Sequence, residues 1–335
     1  MTTVKKQRKK NRIPEILLAA VCLICVSALG LYMIYEHQLN GYFEVSEPSM
    51  TLPGLSGGFI PQGLAYDGQS GKFMVSGYMD SWKQSPLYVM ENEDLGKKIP
   101  ILTEDSSVFR GHAGGVSVYK DTVYLAGSTK MCVYTFPVKE LLEAEFGQPR
   151  KAEKCISLRT DGDYIRASFT SVDDKYLYIG EFHKGFIFYT HRSHKVEAEG
   201  TVQKAYLVGL TFDENGQTVP ACVYSIPDRV QGACFSEDHV FLSQSHGFLP
   251  AEILTYSLAD LKQSGSKEVL GKDVPLYVLT EDNAAKKTKI PPMSEEMVIV
   301  DGKMYILFEA ASNRYQIGKL LGLDRIWATP VEYFI

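Results

Sequence analysis

The chain has 335 residues, of which 45% are hydrophobic and 22% charged, a globular composition far from the charge-rich, aromatic-poor signature of disorder. Its 20 Tyr, 16 Phe, 28 Gly and 15 Pro favour strands and turns and exclude an all-helical bundle. A net charge of −5 argues against a nucleic-acid partner, whose phosphates require a basic face.

Residues 1–15 form a basic tail: Lys5, Lys6, Arg8, Lys9, Lys10 and Arg12 precede an uncharged apolar run from Ile16 to Tyr35. At about 1.5 Å per residue, twenty helical residues span roughly 30 Å, one bilayer. The charges precede the run and no Lys or Arg closely follows it, which predicts a single-pass signal-anchor in the cell membrane with a cytoplasmic amino terminus. The rival reading is a cleaved signal peptide, whose apolar core is about 7–15 residues long and ends in a small-residue cleavage site. Residues 36–41 then read as a linker and 42–335 as an extracytoplasmic domain. Setting aside residues 1–35, with six Lys/Arg and one acidic residue, leaves 29 basic and 39 acidic residues and a formal charge of −10. That charge favours a neutral, cationic or metal-bridged ligand over anionic polymers or lipids. Of the six cysteines, Cys132, Cys155, Cys222 and Cys234 lie outside the span, too few for a disulfide framework. Cys132 and Cys155 fall on neighbouring strands, where either a bridge or two buried thiols fits.

Five segments share one pattern of strand, tight polar turn and more aromatic strand: QGLAYDGQSGKFMVSGY from Gln62, GGVSVYKDTVYLAGS from Gly114, ASFTSVDDKYLYIGEF from Ala167, QGACFSEDHVFLSQS from Gln231 and EEMVIVDGKMYILFEA from Glu295. Each predicts a hairpin, with Asp, Gly or Lys-Asp at the turn. Third strands follow, most clearly PLYVM from Pro86, CVYTF from Cys132 and ILTYSL from Ile253. Fourth, outer strands are expected at IPILTED from Ile99, KCISL from Lys154, ACVYSIP from Ala221 and PLYVLTED from Pro275. Four strands per unit, repeated, predict an all-β fold, a β-propeller preceded by one transmembrane helix. Five hairpins give five blades; six would need a degenerate blade in the long third unit. Residues 42–53 could supply the strand that completes the last blade and closes the ring. The one convincing helix beyond the span is Val138–Phe146. In the third unit, residues 183–203 form an insertion that carries His183, His191 and His194, and Asn215-Gly216 makes an ordinary hairpin turn after it. His191 and His194, three residues apart, could hold a metal there; the other reading of the segment is a solvated loop or lid.

In a propeller the loop entering each innermost strand and the loop leaving the second strand open on one face. The entries carry Gln62, His112, Arg166, Gln231, Glu295 and Glu296; the exits carry Tyr78, Ser128, Glu181, His183, Gln244, His246 and Glu309. Convergence of these polar side chains at one mouth of the channel predicts a site for a small molecule, glycan or peptide. Glu295, Glu296, Glu181 and Glu309 with His112 could perform acid–base work, Glu295 or Glu296 first among them, while Arg166 holds an anionic group, and the same set could bind Ca²⁺. Three roles follow: recognition; hydrolysis or lyase chemistry on a carbohydrate or lactone; and an envelope scaffold acting through the outer blade edges. No GxSxG elbow, Walker or Rossmann glycine pattern, HExxH or CxxC outside the span is present.

The hairpins beginning FIPQGLAYD, GHAGGVSVYKDTVYLAG and RVQGACFSEDHVFLSQSHG resemble inner-blade segments of exported or membrane-anchored bacterial propellers of unassigned function. That resemblance covers most of residues 45–335; six-bladed lactonases of the gluconolactonase type and strictosidine-synthase-like propellers are similar in general layout. In those lactonases a metal-binding carboxylate opens the first blade, and here Gln62 stands at the corresponding place.

Overall fold

A computed structural model of the chain describes residues 12–198, 200–213 and 217–335. The basic tail before Arg12 and the Asn215-Gly216 turn lie outside the described residues.

Helix α1 (Ile13–Val45) is unbroken for 33 residues, roughly 50 Å. Its stretch Pro14–Tyr35 is long and apolar enough to cross a membrane. The segment expected to be a linker is not extended: residues 36–41 are helical, and the helix docks through them. Tyr35, Leu39 and Tyr42 are buried at the spacing of one helix face. Tyr42 packs among Phe308, Trp327 and Tyr333 of the last blade.

Five antiparallel blades follow. The first is Phe59–Asp67, Lys72–Met79, Pro86–Met90 and Gly96–Leu102. The second is Val116–Tyr119, Thr122–Gly127, Cys132–Pro137 and Lys154–Ser157. The third is Phe169–Val172, Leu177–Gly180, Ala205–Phe212 and Thr218–Ile226. The fourth is Val230–Phe235, His239–Gln244, Ala251–Ser257 and Lys286–Ile290. The fifth takes Ser294–Val300, Lys303–Phe308 and Arg325–Pro330 from the end of the chain, and its outer strand, Glu47–Thr51, from the beginning. Glu47 pairs with Ala328 and Thr51 with Arg325, so the ring closes by hydrogen bonds between the two ends of the domain, as the sequence predicts.

Two expectations need correcting. The run from Pro275 is not the outer strand of blade 4. Lys272–Val278 pairs in parallel with the outer strand of blade 3, Val223 opposite Leu276, as half of an extra hairpin with Gly265–Val269. The true outer strand of blade 4 is KKTKI, whose alternation is polar on its exposed face and buries only Thr288 and Ile290. The insertion is a solvated loop only in part: residues 185–189 are exposed. It holds a small hairpin, Val196–Ala198 with Thr201–Gln203, and buries both His183 and His194. Cys132 and Cys155 face Ser157 and Tyr134 across the sheet and are free thiols.

The inner strands approach the axis closely. A Cβ on Gly63 would meet Val116 N at 2.7 Å, one on Gly115 the Thr170 N at 2.5 Å, and one on Gly232 the Glu296 Cα at 2.8 Å. Side chains there would collide with neighbouring backbone, so glycine is required by close approach. The space left at the centre is taken by Glu296. Its Oε2 accepts the Leu64 and Val116 N–H groups at 2.8 and 2.9 Å, and its Oε1 that of Thr170 at 3.0 Å. One blade-5 carboxyl thus ties together the inner strands of blades 1, 2 and 3.

Candidate functional site at the channel mouth

Three inner strands begin with irregular pairing, between Pro61 and Gly63, between Val230 and Gly232, and between Ser294 and Met297. A bulge there turns out of the ladder the residue that regular alternation would have pointed into the sheet. The residues so placed are Gln62, Gln231 and Glu295, and all three line a cavity of about 390 Å³ at the mouth. With them stand Tyr78, His112, Ser128, Arg166, His246 and Glu309. The structure therefore gathers nine of the thirteen residues that the repeat places at the mouth.

Four others serve elsewhere. Glu296 has both oxygens committed to backbone donors, as above. Glu181 is fully buried behind the mouth, where it accepts the Arg166 N–H at 3.0 Å and bonds His194. His183 Nδ1 lies 2.7 Å from Asp228. Gln244 donates to Glu281 and to the Asp228 carbonyl. Conversely, Trp82, Phe182, Phe188, Arg314 and Tyr315 line the cavity although the repeat does not single them out. Arg314 and Tyr315 lie on the long connection leaving the second strand of blade 5, which has no periodicity to draw attention to it.

Two amide–carboxyl pairs form the floor: Gln62 Nε2 donates to Glu309 at 2.9 Å, and Gln231 Nε2 to Glu295 at 3.0 Å. Burial pushes the Glu309 carboxyl up to about 7, against the opposing bond from Gln62 and the charge of Arg314. Burial, and then the charges of Glu309 and Glu296, hold Glu295 well above the ordinary carboxylate range. Glu309 is therefore about half ionised at pH 7, and Glu295 holds its proton more tightly than an ordinary carboxyl. One wall is an aromatic stack: the Tyr78 ring lies 4.5 Å from that of Trp82 and 4.6 Å from that of His112. Burial lowers His112 to about 4, so its imidazole is uncharged. Arg314 donates to the Tyr78 hydroxyl at 3.1 Å, and Arg166 lies over the Tyr189 ring at 4.6 Å with its Nε buried and unpartnered. Trp82, Arg229 and Met293 all adopt positive φ on mouth loops, and such strain in non-glycine residues gathers where geometry serves a site.

The site thus holds two guanidiniums, of Arg166 and Arg314, in one cavity with carboxyls whose proton affinity burial raises. The two arginines bring cationic groups to the mouth although the domain as a whole is acidic. The same features fit Ca²⁺ poorly, since that ion needs several ionised oxygens and no competing cations.

Asp163, His191 and His194 bring one potential ligand atom each within 4.8 Å of one another. His194 is already engaged, with Nδ1 2.7 Å from Glu181 and Nε2 3.0 Å from Asp163. Burial opposes its charge, yet Glu181 and Asp163 outweigh burial and lift the imidazole to about 9. At neutral pH this is an imidazolium clamped by two carboxylates, tying the insertion to blade 3. Replacing it strands a buried Glu181, at a cost of about 3–5 kcal/mol. We expect His194→Ala to open the insertion to limited proteolysis at pH 7. Because a raised folded pKa stabilises below the unfolded value and the effect fades as pH climbs toward the folded one, wild type should lose this clamp between about pH 6.5 and 9.

Fold and site together define a five-bladed propeller with a polar, aromatic-walled pocket at one channel mouth. No family model matches the chain, and no curated sequence does. Solved structures similar to it include an aldose sugar dehydrogenase from Streptomyces coelicolor with PQQ bound, at TM-score 0.47 and 13% identity over 85% of this chain and 97% of that one. A gluconolactonase from Xanthomonas campestris aligns at TM-score 0.40 and 10% identity, covering 85% and 95%. A putative glucose dehydrogenase from Thermus gives 0.42 and 11%, covering 84% and 98%.

Proposed function

We propose that the chain is a membrane-anchored recognition protein whose propeller binds a small molecule, glycan or peptide bearing an anionic group at the channel mouth. The observation that carries this reading is that Arg166 and Arg314 line one pocket with carboxyls whose proton affinity burial raises, beside a wall of Trp82, Tyr78 and His112. The guanidiniums take the anion, and Gln62, Gln231 and protonated Glu295 offer hydrogen bonds to hydroxyls. Anchoring by α1 is supported by its apolar span and by the burial of Tyr35, Leu39 and Tyr42. A helix welded into the domain core just past the span is suited to staying attached.

The test is a thermal-shift screen of the full chain in detergent against sugar acids, sugar phosphates, lactones and acidic peptides. A ligand at about 100 times its dissociation constant adds roughly 2.7 kcal/mol to stability. Arg166→Ala and Arg314→Ala should each weaken binding about tenfold or more while melting like wild type without ligand. Shifts that persist in both variants would place binding elsewhere.

A second reading, hydrolase or lyase, is favoured by one observation: Glu309, at about 7, is matched to general acid–base work near neutral pH. Among the acid–base candidates this favours Glu309. Turnover of any ligand found in the screen, lost in Glu309→Gln, would establish it.

A further inference from the structure

The course of α1 shows which way the pocket faces. Its carboxyl end lies at the far ends of the strands, where Ser46 bonds Thr329 at 2.8 Å. From there the helix climbs along blades 4 and 5. Gln38 accepts a hydrogen bond from Lys289 at 2.9 Å, near the mouth-side end of its strand. At Tyr35 it reaches the mouth, where the phenol donates to the Phe248 carbonyl, on the loop leaving the second strand of blade 4. The span Pro14–Tyr35 therefore continues beyond the mouth face, and a bilayer around it lies on that side.

The distribution of exposed apolar side chains agrees. Trp82, Phe186, Ile187, Phe248, Leu249 and Leu320 all sit on mouth-side loops, from blades 1, 3, 4 and 5. Phe186 and Ile187 are 102% and 78% exposed, values with no packing role inside the domain. The far side carries fewer, among them Leu95 and Phe146. Aromatic and apolar rims level with the end of a membrane span are what an interfacial belt requires.

We infer that the channel mouth docks on the bilayer that α1 crosses and that its ligand is an amphiphile drawn from the lipid phase, with an anionic head and an apolar tail. This rests on the anchored, mouth-binding reading above and names its substrate class. The head sits between Arg166 and Arg314; the tail leaves past Phe182, Phe188 and Trp82, which line the same pocket, toward the exposed rim. Phe248 lies both in the rim and against Tyr315, so the pocket wall runs continuously into the rim. A water-borne ligand would need no such rim.

Trp82 reports on both claims, because it lines the pocket and is 48% exposed at the rim. The only other tryptophan, Trp327, packs against Tyr42 and Phe43 at the side of blade 5 and can be replaced by Phe. The full chain carrying Trp327→Phe is placed in phosphatidylcholine vesicles and floated on a density gradient. Phosphatidylcholine brominated high on its acyl chains should quench Trp82 emission about twofold, as it does for interfacial tryptophans. Phe186→Asp with Ile187→Asp, both at exposed positions, should relieve that quenching. Adding 9,10-dibromostearate to unbrominated vesicles should then give a further, saturable quench that Arg166→Ala with Arg314→Ala abolishes. A chain that does not float overturns the anchor itself. A chain that floats with Trp82 unquenched by brominated phospholipid overturns the bilayer-facing mouth alone. Dibromostearate quenching that fails to saturate, or is equal in the arginine variant, overturns lipid loading of the pocket.

Discussion

Replacing Glu296 with Ala should unfold the propeller more readily than any change in the pocket. The side chain comes from blade 5 and accepts backbone N–H groups of Leu64, Val116 and Thr170, in blades 1, 2 and 3. Removing it leaves three donors unpaired at a site where Glu296 itself is 1% exposed. Each orphaned buried N–H costs about 1–3 kcal/mol, so a loss of roughly 4–6 kcal/mol is expected after some entry of water. For a domain of this size that is a fall of roughly 10 °C or more in melting temperature. Glu296→Gln should be intermediate. Its carbonyl can still accept two of the bonds, but its amide turns a donor toward a third N–H. Calorimetry of the three chains checks this, and an Ala variant melting with wild type would mean the blades are held by their edges and the centre is dispensable. Ligand binding by the folded fraction should survive, since Glu296 does not line the pocket.

That contrast between Glu295 and Glu296 shows what the sequence can and cannot carry. The hairpins are legible because each inner and second strand alternates and each turn has its own chemistry, and the closing strand is legible because a ring of this kind leaves one outer edge without a partner. The mouth is legible because topology sends all entries and exits to one face. Adjacent glutamates cannot be told apart in sequence, because a bulge between Ser294 and Met297 decides which enters the pocket and which turns to the axis. The partners of Glu296 are backbone groups in three other blades, and backbone has no sequence signature. His194 reads as part of a solvated loop because its partners, Asp163 and Glu181, lie 31 and 13 residues away. KKTKI is less conspicuous than the more apolar PLYVL because an outer strand with one wet face buries little.

The second large effect concerns pH and turns on Glu309. Burial holds its carboxyl near 7 in the folded chain, against about 4.3 for an ordinary glutamate. The folded state therefore keeps a proton that the unfolded chain releases, and stability falls as pH rises from about 4.5 toward 7. By pH 8 the accumulated penalty is about 3 kcal/mol, since a tenfold difference in proton affinity between the two states corresponds to about 1.36 kcal/mol. Glu309→Gln keeps an acceptor for Gln62 and has no proton to lose. It should match wild type at pH 5 and exceed it by up to about 3 kcal/mol at pH 8, measured by denaturant unfolding at both pH values. Binding should follow the same titration. Below pH 7 Glu309 is mostly neutral beside the two guanidiniums; above it, Glu309 gains a charge beside Arg314, whose interaction with it already acts on both groups. An anionic ligand should then bind more weakly at pH 8 than at pH 6, and Glu309→Gln should bind it with no such dependence. If wild type bound equally at both, the charge of Glu309 would be of no consequence to the ligand, and the anion would have to be held by Arg166 and not by Arg314.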